Sequence, residues 1–188
     1  MTDISHSATP GLWRLVPGIS AIAFFAAHAW YWVERQKAEN ALWACHLGCL
    51  LVGIGWAAVW PSLNAIGVLW LSPGLVLWVM YLAGGGPFRW TSFLTHIGGL
   101  ALGIWGVSEF GFPKGAWWKA GAGFAALIMI SRRVSRASEN VNFAVQVWRG
   151  WEQQFPSHRR YLAGLVLGGF ALFLSLEQAM RWMLPGPN

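Results

Sequence analysis

Long apolar runs dominate this chain and decide what it can fold into. They are roughly 17 to 24 residues long, the length that a helix needs to cross about 30 Å of hydrocarbon. Of its 188 residues, 56% are hydrophobic and 11% are charged, whereas soluble domains average about 25% charged residues. A soluble core cannot absorb this much apolar surface. The sequence therefore predicts an all-α fold, a polytopic integral membrane helical bundle.

Six transmembrane helices can be drawn along the chain, in a single transmembrane domain that covers residues 1–188. The fifth is short and contains Lys119, so five helices plus an interfacial or re-entrant segment is the alternative. The connections are mostly short, which places consecutive helices side by side. The predicted helices cover, to within a turn at each end, about 15–33, 41–60, 63–82, 90–110, 116–131 and 161–184.

Basic residues are unevenly shared between the two sides of this predicted bundle. One side receives nine of the 13 Lys and Arg residues, and the other receives four. Because cytoplasmic loops carry an excess of Lys and Arg, the long connection at about 132–160 is predicted to be cytoplasmic and interfacial, with both termini outside. The predicted location is a bacterial-type inner membrane. In a membrane protein, basic residues mainly set the orientation of the helices. This accounts for the net charge of +6, so nucleic acid is not expected as a partner.

Three histidines lie at similar depths in three different predicted helices. His28, His46 and His96 are about five to seven residues from the same side, which places them roughly 8 to 10 Å below that membrane face. An ionisable residue at such a depth is a candidate functional site. Two facing imidazoles could ligate the iron of haem b, and one could hold the magnesium of a chlorophyll-type tetrapyrrole. The spacing leaves the direction of each side chain around its helix open.

Tryptophan is abundant, with 15 residues, many of them near the predicted helix ends where aromatic belts form. Trp56 and Trp105 lie deeper, where a flat indole can pack on a flat cofactor. We therefore predict a cofactor site built from the three histidines and these two tryptophans. A quinone is a further candidate ligand.

A metal ion without a macrocycle is the competing interpretation of the same residues. Cys49 follows His46 by three residues and shares its helix face. His28, His46, His96 and Cys49 therefore form a candidate ligand set. Imidazole together with thiolate favours zinc or copper.

The long connection carries a further polar set just beneath the histidine layer. Its arginine and amide groups are suited to a quinone carbonyl, a lipid headgroup or an acidic patch of a partner. A solvated segment along the membrane surface is the simpler alternative. The candidate residues are Glu139, Asn140, Asn142, Arg149 and Glu152.

The sequence contains none of the Walker A, HExxH or GxSxG motifs of soluble enzymes. We predict a small membrane subunit that binds a redox or light-absorbing cofactor within a larger electron-transfer complex, without enzyme activity of its own. Its expected partners are membrane lipids and other membrane subunits or further copies of itself. One alternative is a small-molecule transport component, because the chain resembles in size the membrane substrate-binding subunits of vitamin importers. Another is a membrane-embedded enzyme that acts on a lipid through Ser92 and His96 or uses the metal site.

Overall fold

The computed structural model describes residues 11–184, and every regular element in this part of the chain is helical. Residues 94–98 form one π-helical turn that joins two α-helices into a continuous rod over residues 90–110. Short 3-10 turns occur at Leu12–Arg14, Ala38–Leu42 and Val141–Phe143. The α-helices are α1 (Leu15–Val33), α2 (Ala44–Ala57), α3 (Pro61–Ala83), α4 (Trp90–Phe93), α5 (Gly99–Phe110), α6 (Ala116–Val134) and α7 (His158–Met183).

Three helices are long and apolar enough to cross a membrane, namely Leu12–Val33, Pro61–Ala83 and His158–Met183. This confirms a helical bundle in which three helices could cross a membrane. The six predicted segments each coincide with a helical rod, and the crossing of the other three rods stays a prediction. The chain ends, which are predicted to face outward, lie outside the described residues.

Helix α2 lies at the centre of the bundle and packs against α1, α3 and α5. Glycine allows the close approach: a Cβ on Gly48 would lie 2.9 Å from the carbonyl oxygen of Gly67 in α3, and a Cβ on Gly53 would lie 2.9 Å from that of Gly18 in α1. Small residues at such crossings are typical of membrane helix packing. Since α2 is covered by protein, its 14 residues, about 21 Å of helix, need not match the thickness of a bilayer.

Helices α6 and α7 form an antiparallel pair that packs against α3. Glu177 of α7 is buried, and its carboxylate accepts hydrogen bonds from the backbone N–H groups of Gly115 (2.9 Å) and Trp117 (2.8 Å) at the start of α6. Arg181 lies 3.9 Å from the same carboxylate. A negative charge at the positive end of a helix dipole stabilises that end. This contact fixes the two helices relative to each other.

The connection 135–157 folds back over the beginning of α2. Asn142, which is buried, accepts a hydrogen bond from the backbone N–H of Ala44 (2.9 Å) and donates to the carbonyl of Leu42 (2.8 Å) and the hydroxyl of Ser131 (2.9 Å). Its φ of 53° is left-handed, a conformation that Asn tolerates better than most residues. The connection is thereby fastened to the end of the bundle where the histidines lie.

Candidate metal centre

Three helical segments bring His28, His46 and His96 together inside the bundle. The Nε2 atoms of His28 and His46 are 3.2 Å apart, and the ring centroids of His46 and His96 are 5.5 Å apart. Each side chain is at most 5% exposed. The depth that the sequence predicts for the three residues therefore corresponds to a cluster in the structure, and their role as ligands stays a prediction.

The backbone fixes the tautomers of two of these histidines. Nδ1 of His46 lies 2.8 Å from the carbonyl oxygen of Asn40, and Nδ1 of His96 lies 2.9 Å from that of Ser92. A carbonyl oxygen only accepts hydrogen bonds, so each Nδ1 carries the proton. Both neutral rings therefore present a lone pair at Nε2.

A hydrogen bond from a tryptophan shows that His28 has the same tautomer. The indole N–H of Trp32 donates to Nε2 of His28 at 3.1 Å, and an indole can only donate. Nε2 of His28 is therefore an acceptor, and its Nδ1–H donates to the hydroxyl of Thr91 at 2.9 Å. As a result, two unprotonated nitrogens, Nε2 of His28 and Nε2 of His46, lie 3.2 Å apart.

Two acceptor nitrogens at this distance repel each other unless a cation lies between them. Zinc binds histidine nitrogen at about 2.0–2.1 Å, so two such bonds at the tetrahedral angle place the nitrogens about 3.4 Å apart. The observed 3.2 Å is close to this separation. In addition, metal-ligating histidines almost always donate their other N–H to an oxygen, as all three do in this cluster. The arrangement suits a metal ion.

The π-turn Leu94–Gly98 positions His96. Single π-turns within α-helices occur frequently at functional sites. The ring of His96 stacks on Trp78 of α3, with ring centroids 5.4 Å apart and planes 10° from parallel. The hydroxyl of Thr95, in the same turn, donates to the carbonyl of Thr91 at 2.9 Å and also lies 3.3 Å from the carbonyl oxygen of Phe24 in α1. These contacts hold the turn and the His96 ring in one orientation.

The cysteine that joins the cluster is Cys45. Ligand atoms of Cys45, His46 and His96 all lie within 4.8 Å of one another. The predicted ligand Cys49 lies one turn further along α2, where its Sγ donates to the carbonyl of Ala21 at 3.3 Å. Other helices surround α2, so residues on one of its faces can contact different helices. Cys49 shares a helix face with His46 but contacts α1 through Ala21. The structure therefore places Cys49 outside the cluster.

Trp56 and Trp105, the predicted cofactor neighbours, also lie away from the histidines. Trp56 is ten residues after His46 in α2, about 15 Å along the helix. Its indole N–H donates to the carbonyl of Leu102 at 2.9 Å, and its ring contacts Trp105 edge-on with centroids 5.1 Å apart. These two residues form a separate aromatic contact towards the other end of the bundle.

Several residues that contact the histidines were not among the predicted site residues. Trp32 follows His28 by four residues, so helical spacing alone could have indicated that contact. Trp78 and Thr91 come from other segments of the chain, and only the tertiary structure brings them to the histidines. Cys45 is adjacent to His46 in sequence, a spacing that places two side chains on different faces of a helix.

Ser92 and His96, the pair of the lipid-enzyme hypothesis, are in contact. The hydroxyl of Ser92 lies 3.4 Å from Nδ1 of His96, while the carbonyl oxygen of Ser92 lies closer to the same nitrogen at 2.9 Å. Since Nδ1 donates to that carbonyl, it cannot accept the proton of the hydroxyl. This geometry does not provide an activated serine.

The polar residues of the long connection lie at the same end of the bundle. Within residues 11–184, none of the five makes a hydrogen bond to a histidine of the cluster. Glu139 comes nearest in the hydrogen-bond network, because it accepts from the Asn40 side chain at 2.7 Å and pairs with Lys37 at 2.7 Å. Burial would raise the pKa of Glu139, but the bonds from Lys37 and Asn40 outweigh it and hold the pKa below its ordinary value.

The other residues of this set have different surroundings. Asn140 stabilises a turn by accepting hydrogen bonds from the backbone N–H groups of Val145 (3.0 Å) and Gln146 (2.9 Å). Asn142 fastens the connection to α2. Arg149 and Glu152 are exposed and line a surface cavity.

No protein-family model matches the chain, and no curated protein or solved structure is significantly similar to it.

Proposed function

We propose that this protein binds a transition-metal ion inside the membrane, with His28, His46 and His96 as ligands. The observation that carries the proposal is the 3.2 Å contact between two Nε2 atoms, both of which are acceptors by their hydrogen-bond partners. A cation between them converts a repulsive contact into two bonds. Imidazole ligands suit zinc and copper.

Cys45 is the candidate for a fourth ligand. Its sulfur lies within 4.8 Å of the ligand atoms of His46 and His96, and a small movement of the side chain would bring it to a metal held by them. Four protein ligands make a closed site, whereas three leave a position open for water or substrate. A closed set of imidazole and thiolate ligands suits a structural zinc or a copper ion that exchanges electrons. The role in electron transfer predicted from the sequence is thus retained, with copper in place of haem.

The contact between His28 and His46 favours a bare ion over a tetrapyrrole. An iron ligated on both faces of a macrocycle, with bonds of about 2 Å, keeps the two nitrogens about 4 Å apart with the macrocycle between them. The two rings instead meet edge to face, with centroids 4.3 Å apart and planes at 84°. Haem binding between them would require α1 and α2 to separate.

Elemental analysis of the full chain, purified in a non-ionic detergent, tests the proposal. We expect about one zinc or copper ion per chain, reduced to background in His46→Ala and His96→Ala. His158→Ala is the matched control, because His158 lies at the start of α7, outside the cluster. Added cobalt should give visible d–d absorption in the wild type, and Cys45→Ser should remove any thiolate-to-cobalt charge-transfer band.

Two results would overturn the proposal. One is a wild-type protein that retains no metal and gives no cobalt spectrum. The other is an equal loss of metal in His158→Ala, which would indicate adventitious binding. A haem Soret band lost with the same histidines would favour the tetrapyrrole prediction instead.

A further inference from the structure

A cavity of about 410 Å³ lies between the start of α2 and the connection 135–157, outside the histidine cluster. This volume is within the range of small-molecule sites, about 300 to 1,000 Å³. The side chains that line it include three aromatic and three charged residues, namely Trp43, Phe143, Trp148, Glu139, Arg149 and Glu152.

The three aromatic residues form one continuous wall. The rings of Trp43 and Phe143 meet edge to face with centroids 5.2 Å apart, and Phe143 stacks on Trp148 with centroids 4.6 Å apart and planes 10° from parallel. The indole N–H of Trp43 donates to the side-chain oxygen of Asn40 at 3.1 Å, which fixes that ring. Among the described residues Trp43 is stacked on no other ring, so it keeps a ring face for an organic cation, above all a quaternary ammonium group.

The cavity is lined by both positively and negatively charged side chains. The carboxylate of Glu139 is matched by Lys37 at 2.7 Å. Within residues 11–184, neither Arg149 nor Glu152 forms an ion pair, and Glu152 accepts only the backbone N–H of Gly150 at 2.8 Å. One cation and one anion are therefore available to a ligand. A carboxylate attracts an ammonium group, and a guanidinium group binds phosphate through paired hydrogen bonds.

An exposed aromatic row leads away from this cavity. Trp148 stacks on Trp151 (centroids 6.1 Å apart), and Trp151 stacks on Phe155 (5.9 Å). Trp151 is 49% exposed. Apolar surface that continues from a charged cavity fits the chains of an amphiphile better than a ligand that is polar throughout.

We propose that this cavity binds the headgroup of a zwitterionic phospholipid. Its ammonium group lies against the aromatic wall beside Glu152, its phosphate lies on Arg149, and its chains follow Trp151 and Phe155. Glu139 of the cavity pairs with Lys37, four residues after the end of α1, and Phe155 of the aromatic row contacts Tyr161 near the start of α7. Both helices are long and apolar enough to cross a membrane, so the site is at the depth of lipid headgroups in such an arrangement. This inference does not depend on a bound metal.

Native mass spectrometry of the full chain, released from detergent that contains equal amounts of phosphatidylcholine and phosphatidylglycerol, tests the inference. Phosphatidylglycerol carries the phosphate but lacks the ammonium group. We expect the wild type to retain phosphatidylcholine preferentially, and Arg149→Gln to lower its retention about tenfold. Trp148→Ala should have a similar effect. The matched controls are Arg159→Gln and Trp182→Ala, which change exposed residues outside the cavity lining.

Soluble phosphocholine separates a lipid from a free zwitterion. We expect it to displace the lipid only weakly, because it lacks the chains. Displacement at the same concentration as the lipid would overturn the assignment to a phospholipid. Equal retention of the two lipids by the wild type, or equal loss in the control variants, would overturn the headgroup site itself.

Discussion

Trp32→Phe is expected to tighten metal binding, although it removes a hydrogen bond from the candidate centre. The indole N–H of Trp32 donates at 3.1 Å to the same Nε2 of His28 that would bind the ion. An ion must break this hydrogen bond before the nitrogen can become a ligand. Phenylalanine keeps an aromatic ring edge-on to His28, where the centroids are now 5.9 Å apart, and removes only the competing donor.

The size of the effect follows from the hydrogen bond that is lost. A hydrogen bond inside a protein contributes a net stabilisation of about 0.5 to 1.5 kcal/mol. In the variant the ion no longer has to displace it, so the dissociation constant for zinc should fall about 2- to 12-fold. Removing a true ligand would have the opposite sign and a larger size.

Competition with a fluorescent zinc chelator at neutral pH measures this change on the detergent-solubilised chain. Trp30→Phe is the matched control, because Trp30 lies on the same helix and donates to the exposed Glu34 side chain at 2.9 Å. Its zinc affinity should equal that of the wild type. An unchanged or weaker affinity in Trp32→Phe would refute the tautomer assigned to His28, and with it the close pair of acceptor nitrogens.

Three further changes test other contacts of the fold and the site. Thr91→Val leaves Nδ1–H of His28 without an acceptor, so zinc affinity in the same assay should fall about 10- to 100-fold. Glu177→Gln weakens charged hydrogen bonds to the start of α6 and should lower the free energy of unfolding by about 2 kcal/mol, measured by titration with a denaturing detergent; Glu109→Gln should not. The folded-state pKa of Glu139 is below its ordinary 4.5, so the stability from its bonds is complete above that pH and lost as the pH falls through the lowered pKa. Protection of residues 135–157 against hydrogen exchange, corrected for the intrinsic pH dependence of the amide rates, should fall over that acid range, and Glu139→Gln should show the low protection already at neutral pH.

The positions of the helices could be predicted because they depend on local quantities. The length of an apolar run and the rise per residue place a helix whatever it packs against. The rod over residues 90–110 coincides with its predicted range. In the connection, however, Trp148, Trp151 and Phe155 are three and four residues apart, a spacing typical of a helix. The structure instead has turns there, and the three rings form a stacked row. In this connection the aromatic contacts and the hydrogen bonds of Asn142 determine the backbone conformation.

For the candidate site, only the depth of the histidines in the bundle could be predicted from the sequence. The positions of His28, His46 and His96 along their helices follow from counting residues, whereas the direction of each side chain depends on how the helices cross. The π-turn around His96 has no recognisable signal in the sequence LTHIG. For the same reason, spacing indicated Cys49 as a ligand, while the surroundings of α2 bring Cys45 to the histidines.

The π-turn also makes the candidate metal centre separable from the fold that carries it. Such a turn holds one residue more than an α-turn, so deleting one residue from Leu94–Gly98 would convert it to an α-turn while the helical segments on either side keep their positions. His96, which lies within the turn, would then lose its orientation towards His46, whereas Gly99 and Gly103, which follow the turn and pack closely on α2 and α3, would keep their contacts. Chains that are one residue shorter within this turn would therefore keep the helical bundle but lack the candidate metal centre.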